Sequence, residues 1–181
     1  MKLPLEGSRH SAAPATGSRP PPVSAADAGL LLLRVTFGVI MAGHGAQKLF
    51  GWFGGPGLDA AGQGFAALGY EPGVFFAGLA GISELLGGLG LALGLLTPLA
   101  SAALIGVMIN AMALASDEGL LAVGGAFEYP MTIAVVALTV AAVGPGRLSL
   151  DVRFPWRDGG WRPAAFALGV GGIGAAIVLA L

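Results

Sequence analysis

Apolar stretches about as long as membrane-crossing helices constrain the fold of this chain more than any other feature. A helix needs roughly 20 apolar residues to cross the hydrocarbon core of a bilayer. From Leu30 onward such stretches follow one another, separated by glycine, proline and acidic residues. Only 10% of the residues are charged, which is too few to solvate a globule of this length. The sequence therefore predicts an all-α, transmembrane helical bundle in a lipid bilayer.

Several kinds of chemistry are excluded by the residue types that the chain lacks. It has no cysteine, so disulfide exchange, iron–sulfur ligation and c-type haem attachment are not expected. One of its two histidines, His10, lies in the N-terminal tail, and no cluster has the spacing of a metal site. We therefore expect no haem and no metal. The net charge of -1 gives no indication of nucleic-acid binding.

Five spans are predicted, at about 28–50, 74–96, 99–116, 128–144 and 163–181. Prolines fall at or beside their ends, where a missing backbone N–H costs least. The second and third spans are joined by Thr97-Pro98 alone, which predicts an antiparallel helical hairpin. Residues 1–27 are rich in Ser, Ala, Pro and Gly, and they are predicted to be a disordered tail.

The distribution of charge predicts the orientation of the spans, because short loops rich in Lys and Arg stay in the cytoplasm. One side of a five-span chain receives Lys2, Arg9, Arg19, Arg147, Arg153, Arg157 and Arg162. The opposite side receives Asp59, Glu71, Asp117 and Glu118, with Lys48 as its only nearby cation. This asymmetry predicts a cytoplasmic N-terminus and a C-terminus on the outer side.

A group of polar side chains falls within the predicted spans. Glu84 lies near the middle of the second span, and Arg34 lies near the inner face of the first. The outer half of the bundle receives His44, Gln47, Lys48 and Asn110, with Glu128 and Tyr129 at the outer start of the fourth span. His44 and Lys48 are four residues apart and share a helix face. We therefore expect a polar pocket that opens outward.

Structural explanations compete with a functional one for most of these residues. Lys48 and Arg34 are long enough to reach lipid head groups. A purely structural role, hydrogen bonding between helices, would equally explain His44 and Asn110. Glu84 is harder to explain in this way because a carboxylate in mid-span cannot reach the interface. It must be protonated or paired with His44, Lys48 or Arg34.

Four blocks of sequence, in order, resemble the DoxX family of small bacterial membrane proteins. They run from His44 to Gly55, from Gly81 to Pro98, from Glu128 to Pro130 and from Gly144 to Asp151. The resemblance implies a four-helix core over residues 28–151 in the bacterial inner membrane. It also implies a link to quinone-coupled sulfur oxidation or to complexes that handle oxidative stress. The proline-rich tail, a basic cytoplasmic loop over 152–162 and the additional span over 163–181 depart from the family pattern.

The leading hypothesis is a quinone-binding subunit of a membrane oxidoreductase that receives electrons from a protein partner. A titratable histidine beside a carboxylate can deliver the protons that quinone reduction requires. His44 and Glu84 are the candidate catalytic residues. The candidate binding residues are Arg34, Gln47, Lys48, Asn110, Glu128 and Tyr129. A small proton or solute transporter and a noncatalytic scaffold are the alternatives, and self-association is left open.

Overall fold

The structure is a computed structural model that describes residues 23–116 and 127–181. It contains the helices α1 (Ala25–Phe50), α2 (Gly57–Ala67), α3 (Gly73–Leu93), α4 (Thr97–Leu114), α5 (Glu128–Val143) and α6 (Trp161–Ala180). Two short 3-10 turns, Trp52–Gly54 and Leu150–Arg153, lie in the connections. The described residues include no strand. The prediction of an all-α bundle is therefore confirmed.

Four helices, α1, α3, α4 and α6, are long and apolar enough to cross a bilayer. The fourth predicted span corresponds to α5, which is apolar but has only 16 residues, a length of about 24 Å at the usual helical rise. α1 begins at Ala25, so the last three residues of the predicted tail belong to this helix. Residues 1–22 of the predicted tail, together with Asp117 and Glu118, lie outside the described residues.

The helix α2 was not predicted from the sequence. It is only 11 residues long and follows a glycine-rich turn, so its apolar pattern is too short to identify it as a helix. Two of its residues, Ala61 and Gly62, are buried, and Gly62 packs against Val74 at the start of α3. α2 therefore covers the end of the bundle at which α1 finishes and α3 begins.

Glycines bring α1 and α3 into close contact. A methyl carbon built on Gly45 would lie 2.5 Å from the carbonyl oxygen of Gly81, and one built on Gly38 would lie 2.5 Å from that of Gly88. Real side-chain carbons do not approach a backbone this closely, so glycine is required at these positions if the two helices are to keep this spacing. Side chains next to the glycines are thereby brought within hydrogen-bonding distance of the facing helix.

A second layer of helices packs beside this pair through apolar side chains. α4 contacts α3, α5 and α6. The buried core contains Met41 from α1, Leu91 from α3, residues of α4 such as Leu104 and Ile105, and Ile133 from α5. Each of these five side chains is at most 2% exposed, so the centre of the bundle is closely packed and apolar.

Two aspartates organise one end of the bundle, which we call the carboxylate end; α1, α4 and α6 begin there. Asp27 forms a capping box with Ser24 and accepts a hydrogen bond from the backbone N–H of Arg147 at 3.0 Å. The buried Asp151 accepts hydrogen bonds from the backbone N–H groups of Leu96 at 2.9 Å and Thr97 at 2.7 Å. These aspartates satisfy N–H groups that the first turn of a helix otherwise leaves unpaired.

The connection between α3 and α4 differs from the predicted one. Thr97 and Pro98 form the first turn of α4, and the link consists of residues 94–96. Gly94 has a φ of +60°, and a methyl carbon at this position would clash with the guanidinium group of Arg34. Leu96 also has a positive φ, of +48°, which is strained for a branched residue. The hydrogen bond to Asp151 holds Leu96 in this conformation.

Candidate functional site

An ion pair between α1 and α3 is the main polar feature of the other end of the bundle, which we call the ion-pair end. The Lys48 ammonium group donates hydrogen bonds to both carboxylate oxygens of Glu84, at 2.9 and 2.7 Å. The Glu84 side chain is 5% exposed and that of Lys48 is 24% exposed. Among the partners considered for Glu84 from the sequence, the structure therefore selects Lys48.

The local sequence explains why these two side chains meet. Lys48 follows Gly45 by three residues, and Glu84 follows Gly81 by three residues. Side chains three positions apart lie on the same helix face. α1 and α3 run in opposite directions, so one turn after Gly45 and one turn after Gly81 are opposite displacements along the bundle. Lys48 lies beside Gly81, where a methyl carbon would be 3.4 Å from the Lys48 Cβ, and its flexible stem spans the offset to the Glu84 carboxylate. The glycines keep the two helices close enough for this contact.

Glu84 and Lys48 line a cavity of about 370 Å³ between α3, α4 and α6, which we call the α4–α6 cavity. Along α4 its lining extends from Leu99 to Leu114, a distance of about 22 Å at the helical rise. The lining from α6 consists of glycine, alanine and valine. The cavity is therefore elongated and largely apolar, with a small group of polar side chains.

Tyr70, Asn110 and Ser83 also belong to this polar group. The Tyr70 hydroxyl donates to the Asn110 side-chain oxygen at 3.4 Å, and the Asn110 amide nitrogen donates to the carbonyl oxygen of Gly106 at 3.0 Å. Tyr70 also packs against Phe65 and Phe76, with ring centroids 5.6 and 5.3 Å away. Burial raises the pKa of Tyr70, which lies in the connection between α2 and α3, so its hydroxyl remains a neutral donor at physiological pH.

His44 and Gln47 line a different surface. They contribute to a groove of about 540 Å³ that also includes Trp52 and Phe53. The Nε2 atom of His44 is 3.1 Å from the Tyr129 hydroxyl, and the two rings pack edge to face with centroids 5.9 Å apart. The predicted single pocket is thus divided between two surfaces, with His44 and Gln47 on one and Lys48, Glu84 and Asn110 on the other.

Two other predicted site residues lie apart from the cavity. Arg34 is fully buried at the carboxylate end, where its Nη2 atom donates to the carbonyl oxygen of Leu148 at 2.6 Å. It precedes Lys48 by 14 residues, which corresponds to about 21 Å along α1. Glu128 is half-buried in the first turn of α5 and does not line the α4–α6 cavity.

The donors and acceptors at the cavity favour a ligand that is polar at one end and apolar elsewhere. Lys48, Glu84 and Tyr70 contribute an ammonium group, a carboxylate and a phenol to one cavity, and most of the remaining wall is apolar. Metal coordination is a poor match, since residues 23–116 and 127–181 contain no cluster of three His, Cys, Asp or Glu side chains that could hold an ion.

Tyr70 was not among the site residues predicted from the sequence. The available signal was a tyrosine between Gly69 and the Glu71-Pro72 pair, in a connection that also carries the aromatic Phe65. A tyrosine in a short connection between apolar segments often packs its ring inward and bonds its hydroxyl. Its pairing with Asn110 depends on α2, whose position the sequence did not predict.

Comparison with known proteins supports the resemblance found in the sequence. A family model described as DoxX matches residues 29–117. The matched segment includes all but the first turn of α1, the helices α2 to α4, and the residues His44, Lys48, Glu84 and Asn110, whereas α5 and α6 follow it. No curated protein and no solved structure matches the chain. Through residues 29–117, this multi-pass membrane protein belongs to the DoxX family.

Proposed function

We propose that this protein binds the head group of a quinone, or of a similar amphipathic redox molecule, beside the Lys48–Glu84 ion pair. In this proposal it acts as a subunit of an oxidoreductase or oxidative-stress complex in the bacterial inner membrane. The observation that carries the proposal is the position of a buried ion pair in the wall of a long apolar cavity. A charged pair is costly to place in a membrane interior, and charged groups that are found there usually serve a function.

The residues present fit such a ligand in three respects. Quinone carbonyl oxygens need hydrogen-bond donors, which Lys48 and Tyr70 provide. The isoprenoid tail needs an apolar channel, and the wall formed by α4 and α6 is aliphatic over most of its length. The volume of about 370 Å³ is within the range of small-molecule sites. A quinone supplies two-electron chemistry coupled to two protons.

Each polar residue has a distinct proposed role. Lys48 donates a hydrogen bond and offsets negative charge, while Glu84 holds and releases a proton at its carboxylate. Tyr70 and Asn110 orient the head group. His44, bonded to Tyr129 outside the cavity, supplies protons toward the ion pair and does not contact the ligand. Gln47, Glu128 and Arg34 have no contact role in this scheme.

The electrons in this proposal come from a redox protein partner. A transporter would need polar groups that continue across the bundle, but Arg34 and Asp151 at the carboxylate end are fully buried among protein contacts. Neither residue lines the α4–α6 cavity or the His44 groove. Proton flux in vesicles that contain the purified chain alone would support transport instead of the redox role.

A binding experiment tests the cavity directly. At Gly174, which lines the cavity, a side chain would enter open space; Gly169 is also open, lies on the same helix and does not line the cavity. We expect Gly174→Leu to reduce photolabelling of the purified chain by an azido-quinone at least tenfold, roughly the effect of losing 1.4 kcal/mol. Gly169→Leu should label like the native protein. Equal labelling of both variants would refute the cavity as the binding site.

A turnover experiment tests the residue roles. We expect Glu84→Gln and His44→Ala to abolish quinone-dependent activity in the intact membrane complex while the protein still inserts and folds. Tyr70→Phe removes one donor and should weaken quinone binding more than it slows turnover. Unchanged turnover in both Glu84→Gln and His44→Ala would rule out the proposed chemistry even if the ligand binds.

A further inference from the structure

A second apolar groove, separate from the α4–α6 cavity, lies at the carboxylate end. It has a volume of about 800 Å³ and is bounded by the first turn of α4, by residues 155–160 and by the first turns of α6. We call it the α6-start groove. Leu99 contributes to both surfaces. Otherwise its lining residues differ from those of the cavity and include Trp156, Arg162 and Phe166.

The wall of this groove is fixed by hydrogen bonds to the bundle. The Trp156 indole N–H donates to the Asp151 carboxylate at 2.8 Å, and the Trp156 ring stacks on Phe154 with centroids 4.9 Å apart. The backbone N–H of Gly160 donates to the carbonyl oxygen of Ala142 at 2.7 Å. The groove is therefore a preformed surface, because the segment that encloses it is tied to both α4 and α5.

Large apolar side chains are exposed around the groove at the end of the membrane-spanning helices. Trp161, at the first position of α6, is 90% exposed, Leu99 is 52% exposed and Phe166 is 47% exposed. Tryptophan is enriched where the bilayer meets water. This places the mouth of the groove at head-group depth and its apolar floor at the depth of the first acyl carbons.

The charge around the mouth is positive. The segment from Arg147 to Arg162 carries four arginines and two aspartates. Asp151 is buried and bonded to α4 and Trp156, and Asp158 pairs with Arg157 at 3.1 Å. Within residues 23–116 and 127–181, Arg162 has no carboxylate within salt-bridge distance. A guanidinium group at the mouth of an apolar groove favours an anion with an attached hydrocarbon chain.

We propose that the α6-start groove binds an anionic phospholipid, with an acyl chain along Leu99 and Phe166 and the phosphate beside Arg162. The chemistry favours a lipid over a second copy of this chain. If a second copy docked here through the same surface, Arg162 would be buried against the basic segment of that copy. A lipid phosphate instead provides the complementary charge. This proposal does not depend on quinone binding at the α4–α6 cavity.

Native mass spectrometry of the full chain, released from micelles doped with defined lipids, tests the proposal. We expect phosphatidylglycerol to be retained roughly fivefold more than phosphatidylcholine, as one favourable arginine contact near a membrane surface implies. Arg162→Gln should remove this preference. Arg153→Gln is the matched control, since Arg153 is exposed in the same segment but does not line the groove, and it should keep the preference.

A second variant separates the acyl chain from the head group. Phe166→Ala removes apolar contact at the groove without changing charge, so it should lower retention of both lipids by a similar factor. Equal retention of the two lipids by the native chain would overturn the proposal. Equal effects of Arg162→Gln and Arg153→Gln, or a dimer in place of a lipid-bound monomer, would also overturn it. Gly174→Leu should leave lipid retention unchanged, so the quinone and lipid proposals can fail separately.

Discussion

Removing the cation of the Lys48–Glu84 pair should destabilise the protein more than neutralising the anion. Glu84 is 5% exposed and has its two hydrogen bonds from a single ammonium group. In Lys48→Met the carboxylate would remain buried without a partner, a change that typically costs about 3–5 kcal/mol. In Glu84→Gln the lysine keeps an amide oxygen to bond, and its stem can carry the ammonium group toward water. We expect a loss of about 1 kcal/mol there.

Protonation limits the larger loss and gives it a pH dependence. A glutamate side chain has an ordinary pKa of about 4.3, so keeping it neutral costs about 3.7 kcal/mol at pH 7 and about 1 kcal/mol at pH 5. The folded Lys48→Met variant holds the extra proton, and its stability therefore decreases as the pH rises. For a chain of this length the loss at pH 7 corresponds to a decrease of roughly 10 °C in Tm.

Thermal unfolding in detergent, followed at pH 5 and pH 7, provides the measurement. The control is the double variant Lys48→Met/Glu84→Leu, which removes both charges and should unfold within about 1 kcal/mol of the native protein at either pH. A greater loss in Glu84→Gln than in Lys48→Met would refute this account of the ion pair. A double variant that loses as much stability as Lys48→Met alone would refute it as well.

Two further predictions concern packing and capping. Gly45→Ala should cost about 1–3 kcal/mol in the free energy of unfolding by forcing α1 away from α3. The control, Gly43→Ala, adds a methyl group that faces open space and should be neutral or slightly stabilising. Equal effects of the two changes would show that the glycine contact is not needed. Asp151→Asn should cost about 1–2 kcal/mol by weakening the cap of α4, whereas Asp158→Asn, at an exposed ion pair, should change stability by less than about 0.5 kcal/mol. Thermal unfolding measures both pairs, and a larger loss at Asp158 would contradict the second prediction.

Hydropathy predicted the long helices because an apolar stretch that crosses a bilayer is stable there only as a helix. The ends of α1, α3, α4 and α6 lie within three residues of the predicted limits, since glycine, proline and charge mark them clearly. The short α2 was missed because its 11 residues carry no span-length signal. In the sequence, Asp151 was noted only as the last residue of a block that resembles the DoxX family. Its capping role was not predicted because it depends on contact with residues more than 50 positions away.

The candidate site was predicted in part, and the missing information was the rotation of each helix about its axis. Residue spacing placed His44 and Lys48 on one face of α1. It could not indicate that Lys48 faces Glu84 while His44 turns toward Tyr129. The glycines at the α1–α3 contact indicate which helix faces meet, but only when the two helices are already known to be neighbours.

The arrangement of caps at the carboxylate end determines where the bundle can open. Hydrogen bonds to Asp27 and Asp151 fasten the starts of α1 and α4 to the segment before α6. In contrast, no side-chain hydrogen bond in the described part of the chain ties the last turns of α6 to another helix. We therefore expect any outward movement of α6 to pivot at the capped end and to be largest at the opposite end. A molecule that enters sideways from the bilayer would therefore meet the widest opening at the ion-pair end, close to Lys48 and Glu84.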